Sequence, residues 1–122
     1  MHSKNLSWLL VAALGIAATC WGAAADSNRI ANGKRLYITD GCFECHGRVG
    51  EGGAFNGPAP ALAGIFSRRS SLEVISSVRK GPNDMPAYTD KVLSNQELGD
   101  ILAYLRSLPG PADPKSIALL NK

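Results

Sequence analysis

The sequence predicts an all-α fold, a single small helical domain. Three segments place apolar residues at helical spacing, and two of them open with a Ser-x-x-Glu capping box. No segment alternates apolar and polar residues as a half-buried strand does. A third observation limits the core. Roughly forty residues lie in stretches dense in Gly and Pro, a large irregular share for so small a domain. Side-chain packing alone does not fill such a domain, so something else must occupy its middle.

The chain has 122 residues. Its start reads MHSKNLSWLLVAALGIAATCWGAAADS: a basic Lys4, an apolar run from Leu6 to Trp21, then Ala23-Ala24-Ala25. That is the layout of a secretory signal peptide with an A-x-A site, and cleavage is expected after Ala25, leaving residues 26–122. The apolar run is shorter than the ~20 residues of a membrane span. The alternative is an uncleaved N-terminal anchor. A lipoprotein on Cys20 fits poorly, because Ala17-Ala18-Thr19 is a weak approach to a lipidated cysteine. Export places the protein in the periplasm.

The first helix is expected from about Ser27 to Thr39, with Ile30, Gly33 and Tyr37 on one face and Asp40-Gly41 as its stop. The second is expected from Ser71 to Lys80. Ser70 and Glu73 form its capping box, Leu72, Ile75 and Val78 form its apolar side, and Gly81-Pro82 ends it. The third follows the capping box of Ser94 and Glu97. Leu98, Ile101, Leu102, Leu105 and Leu108 make its stripe, and Pro109-Gly110 closes it. The residues after Pro111 read as a loosely held extension. Residues 47–64 and 81–90 are the turn-rich stretches.

Net charge is +3. So mild a balance does not suggest nucleic acid or a strongly anionic membrane surface as a partner. Of the three cysteines, Cys20 belongs to the leader, so only Cys42 and Cys45 remain. Two cysteines with two residues between them make no disulfide framework.

These two lie in Gly41-Cys42-Phe43-Glu44-Cys45-His46-Gly47. Structural zinc wants four ligands, and no second Cys/His pair is present beyond His2 of the leader. A dithiol oxidoreductase wants C-x-x-C at a helix start after a strand, whereas here the motif follows a helix. A plain local disulfide leaves His46 unexplained. C-x-x-C-H is the c-type haem attachment pattern: two thiols spaced to meet two vinyl groups, and a histidine beside them for the iron. Covalent attachment suits a domain too small to grip a cofactor by burial alone.

His46 is the one histidine outside the leader, and Met85 the one methionine besides Met1. Met85 lies off every helical stripe, between Asp84 and Pro86, where a core gap-filling role is a poor fit. A Met/His pair is a cytochrome c ligand set that raises reduction potential. With both faces of the iron taken, electron transfer rather than catalysis is the expected task.

With CFECH, Pro60-Ala61-Leu62-Ala63-Gly64, Met85-Pro86 and ILAYLRSLP in this order, the chain resembles the class I cytochromes c from Ile30 to Pro109. The resemblance implies the cytochrome c fold, with N- and C-terminal helices crossing at Gly33 near Tyr37 and Tyr104, around one haem c held through Cys42 and Cys45. It implies iron ligated by His46 and Met85, a Pro60 carbonyl accepting from His46 Nδ1 (Pro58 being a near alternative), Leu62 on the haem face, and Arg68 at a propionate. A solvated Arg68-Arg69 pair is the plainer alternative for Arg68. The resemblance is close to small bacterial cytochromes that receive electrons from periplasmic dehydrogenases. It therefore implies a monomeric carrier, not an enzyme, with a periplasmic dehydrogenase as donor and an oxidase or another cytochrome as acceptor. The alternatives are a tightly bound haem subunit of a dehydrogenase complex and a haem enzyme or gas sensor with a displaceable Met. Arg48, Arg79 and Lys80 flank the haem-facing segments and form a candidate docking rim, with ordinary solvated charge as the equal alternative.

Overall fold

The computed structural model describes residues 6–53, 59–111 and 114–116, with the side chains of residues 6–21 left aside. Among the described residues the elements are four helices and two 3₁₀ turns, with no strand. The all-α expectation is met.

Helix α1 spans Leu6–Thr39. It begins well before the expected Ser27, because residues 6–26 are rich in Leu and Ala, which have high helix propensity, and contain no proline to interrupt it. It stops where expected: Asp40 N–H bonds back to the Leu36 carbonyl, and Gly41 turns left-handed at φ 78°. Helix α2, Cys42–His46, is a single turn that the sequence reading did not anticipate. Helix α3 spans Ser71–Lys80 and α4 spans Asn95–Ser107. Both capping boxes form: the Ser70 and Ser94 hydroxyls accept from Glu73 N–H and Glu97 N–H, and each Glu reaches back to its serine's N–H. A 3₁₀ turn at Ile65–Ser67 lies between α2 and α3, and another at Pro114–Ser116 lies in the tail.

The core is the crossing of α1 and α4. A Cβ on Gly33 would lie 1.9 Å from the Asp100 carbonyl oxygen, so the two backbones touch there. Tyr37 is fully buried, and its ring meets Tyr104 at 5.4 Å between centroids with a 58° tilt. Leu36, Leu98, Ile101, Leu102 and Leu105 complete the contact. Beside it, Asp100 is buried and satisfied by Arg29 Nε (3.0 Å), Asn32 Nδ2 (2.9 Å) and Gln96 Nε2 (3.2 Å).

Helix α3 stands off from this pair, tied to α4 by Arg106, whose guanidinium donates to Ser71 Oγ and lies over the Phe66 ring. Its inner face differs from the expected one. Val74 is the buried residue, Ile75 and Val78 are half-buried, and Leu72 is 78% exposed.

Candidate functional site

The CFECH motif is the helical turn α2, hinged between two left-handed glycines, Gly41 and Gly47. Tyr37 fixes its end: the phenol donates to the Gly47 carbonyl at 2.7 Å. The α1–α4 crossing thus sets where the motif starts and stops. His46 is buried, at 8% exposure, while Cys42 and Cys45 are half-buried free thiols.

His46 Nδ1 lies 2.9 Å from the Pro60 carbonyl oxygen. A carbonyl only accepts, so Nδ1–H is the donor in this bond, and Nε2 is the ring nitrogen it leaves uncommitted. The glycine-rich stretch after the motif, to which the sequence reading assigned no role, places that carbonyl. Gly52 N–H bonds to the His46 carbonyl, and Gly53 N–H to that of Ala59. Leu62 and Ala63 N–H groups both bond to that of Gly50. Residues 47–53 and 59–63 are thereby clasped together. Arg68 braces the same segment, donating to the Ala61 carbonyl at 2.9 Å. Leu62 is half-buried against the core, and Pro58 lies outside the described residues.

Met85 sits in the loop between α3 and α4, half-buried, its N–H bonded to the Pro82 carbonyl. Gly81 and Asn83 hold left-handed φ of 59° and 54°. A Cβ on Gly81 would lie 2.5 Å from the Met85 carbonyl oxygen, so the chain turns tightly beneath the methionine. Tyr88 joins this loop to the motif by donating to the Asp40 carbonyl at 2.7 Å.

Arg79 departs from the rim role considered above. It is half-buried, and its guanidinium bonds to the Tyr88 and Leu93 carbonyls and to Asn95 Oδ1. Lys80 and Arg48 remain exposed, Arg48 lying over the Phe43 ring. Nothing in the apolar periodicity of α3 distinguishes Arg79 from Lys80. The side on which each falls depends on how the helix meets the loop.

Electrostatics favour a neutral thiol at Cys42. Burial, then the nearby Asp40 carboxylate, push the Cys42 thiol up to about 11. A thiol so protonated is a poor nucleophile, which disfavours a dithiol redox enzyme. Burial also raises the Tyr37 and Tyr88 phenols above their ordinary value, keeping both as donors. Among the described residues, no group of three His, Cys, Asp or Glu side chains converges on a point suited to a metal ion. The donors present do suit haem c. They are two free thiols one helical turn apart, an imidazole with its distal nitrogen available, and a thioether on a separate loop. Phe43, Leu62, Ile75, Val78 and Tyr88 are half-buried and pack against the hydrophobic core.

Residues 28–105 match the family described as cytochrome c oxidase, cbb3-type, subunit III. The chain belongs to this family of c-type cytochromes. Curated relatives of the cytochrome are named cytochrome bc1 complex cytochrome c subunit. That of Corynebacterium diphtheriae is 32% identical over 82 residues, covering 67% of this chain and 28% of the relative. That of Corynebacterium efficiens is 30% identical over 78 residues, covering 64% of this chain and 26% of the relative. That of Mycobacterium leprae is 29% identical over 78 residues, with the same coverage. The cytochrome thus spans little more than a quarter of the length of these relatives. No solved structure matches it. Family and relatives alike mark a haem-bearing electron carrier rather than an enzyme.

Proposed function

We propose that the cytochrome carries single electrons in the periplasm on one haem c, reached through a signal peptide ending at Ala25. Cys42 and Cys45 would hold the haem through thioether bonds, each S–H adding across a vinyl group, and His46 and Met85 would be its axial ligands. When bound, the haem iron alternates between ferric and ferrous and so stores one electron.

The single observation that carries this reading is the His46 Nδ1–Pro60 bond. It fixes the ring, keeps its proton on Nδ1 and leaves Nε2 as the ligating atom. A histidine held this way is also a more basic ligand. Met85 supplies a soft thioether, which favours the reduced state and raises the potential. Leu62 would pack on the haem face, and Arg68, which holds the Ala61 carbonyl, is the proposed partner of a propionate.

The proposed donor is a periplasmic dehydrogenase and the proposed acceptor an oxidase or another cytochrome, met by a monomer in transient encounters. A second reading has the chain as the haem-bearing part of a respiratory complex. The names of the relatives favour it.

Oxidised and reduced absorption spectra of the purified protein test ligation. A c-type spectrum with a sulfur-to-iron charge-transfer band is expected, and Met85→Ala should lose that band and let the reduced protein bind carbon monoxide. Survival of the band in Met85→Ala refutes the ligand assignment. Native co-purification separates carrier from subunit, since a stable larger partner supports the second reading.

A further inference from the structure

We infer that Arg79 is a positioning residue for Met85, a strap that holds the methionine loop in the one arrangement suited to ligation. The inference rests on the Met85 reading above.

Burial does little to hold this loop. Residues 82–84, 86, 87 and 89–92 are exposed, and Met85 and Tyr88 are half-buried; the first fully buried side chain is Leu93. The loop is therefore held by hydrogen bonds. Tyr88 provides two, from its N–H to the Val78 carbonyl and from its phenol to the Asp40 carbonyl. Arg79 provides three: Nη1 to the Tyr88 carbonyl (2.8 Å) and the Leu93 carbonyl (2.6 Å), and Nη2 to Asn95 Oδ1 (2.8 Å). One cation on the last turn of α3 thus grips the middle of the loop, its end and the first residue of α4. Charge-assisted bonds are the strong ones, and the planar guanidinium fixes their directions. With Arg79 in place, the span that contains Met85 is closed at both ends, by the tight turn at Gly81 before it and by the strap at Tyr88 after it.

The test is the rate at which imidazole replaces Met85 in the ferric holoprotein, read from loss of the sulfur-to-iron band. Arg79→Ala should exchange at least about tenfold faster than wild type, since it loses three charge-assisted bonds. Arg79→Lys, which keeps the charge but not the fork, should fall between them. Asn95→Ala, which removes one of the three acceptors and keeps Arg79, should move in the same direction. Arg29→Ala breaks the Asp100 ion pair at the helix crossing; it should lower Tm yet exchange at the wild-type rate. A wild-type rate in Arg79→Ala overturns the strap, as does equal acceleration by Arg29→Ala at a matched loss of Tm. Should Arg79→Ala not fold, wild-type rates in both Arg79→Lys and Asn95→Ala overturn it equally. If wild type has no sulfur-to-iron band, the ligand assignment fails first and takes the strap with it. That result is distinct, because it appears before any substitution is made.

Discussion

At the scale of single residues, the site depends on polar groups whose partners lie on other segments. His46 Nδ1–H donates to a carbonyl fourteen positions later, which fixes the ring for the proposed ligand role. Asp100 shows the same dependence at the helix crossing. Its carboxyl is held below the ordinary value, chiefly by the Asn32 side chain and also by Arg29, against the opposing effect of burial. Glu51, Glu73 and Glu97 are held down as well, by backbone N–H groups. Each lowered carboxyl stabilises the fold above its unfolded value, and the contribution is lost as pH falls through the folded value. Acid destabilisation should therefore set in below about pH 4, where unfolded carboxyls take up protons. Asp100→Asn should be less stable than wild type near neutrality and show a flatter fall of Tm with acid. Thermal melts across that range check this, and parallel curves would remove Asp100 from the account.

At the scale of elements, two glycines in helices make opposite predictions for the same change. Gly33→Ala places a Cβ in the Asp100 carbonyl, which is backbone and cannot step aside. Overpacking of this kind costs about 1–3 kcal/mol, more than the gain of about 1 kcal/mol in helix propensity. Gly99→Ala meets only the flexible end of Arg29 at 3.4 Å, so the propensity gain should prevail and Tm should rise or hold. Denaturant melts of the two variants distinguish close approach from mere tolerance. The capping boxes belong to this scale too. Ser70→Ala should weaken α3 by about 1 kcal/mol. Because α3 carries Arg79, and Ser94 lies between two of its acceptors, Leu93 and Asn95, both Ser70→Ala and Ser94→Ala should also speed Met85 exchange.

At the scale of the whole molecule, charge reversal at positions 79 and 80 now has two meanings. Arg79 is part of the fold, so reversing it reports on the methionine loop. Lys80 is exposed and is the position to use for docking. Lys80→Glu should lower the rate of reduction by an acidic partner at low salt and leave Tm unchanged. Stopped-flow rates against ionic strength measure this; an unchanged salt slope assigns Lys80 to ordinary solvated surface.

Much of this protein was legible from local chemistry. The helices α3 and α4, their caps, the stop at Gly41 and the haem motif each depend on residues within a few positions of one another, so a linear reading recovers them. Gly33 was legible for a different reason: the resemblance to the class I cytochromes c implied a helix crossing there. The strap of Arg79, the buried Val74 in place of Leu72 and the glycine clasp behind Pro60 were not. Each depends on the angle at which one segment meets another. Periodicity gives the face of a helix but not what that face will touch. The sequence by itself determined the caps and bounds of α3 and α4 and which donor side chains are on offer to a haem, because donor chemistry and capping are local. Only the tertiary structure decided how the two halves of the site are held, because carbonyls under His46 and around Arg79 become partners only once the chain has closed around them.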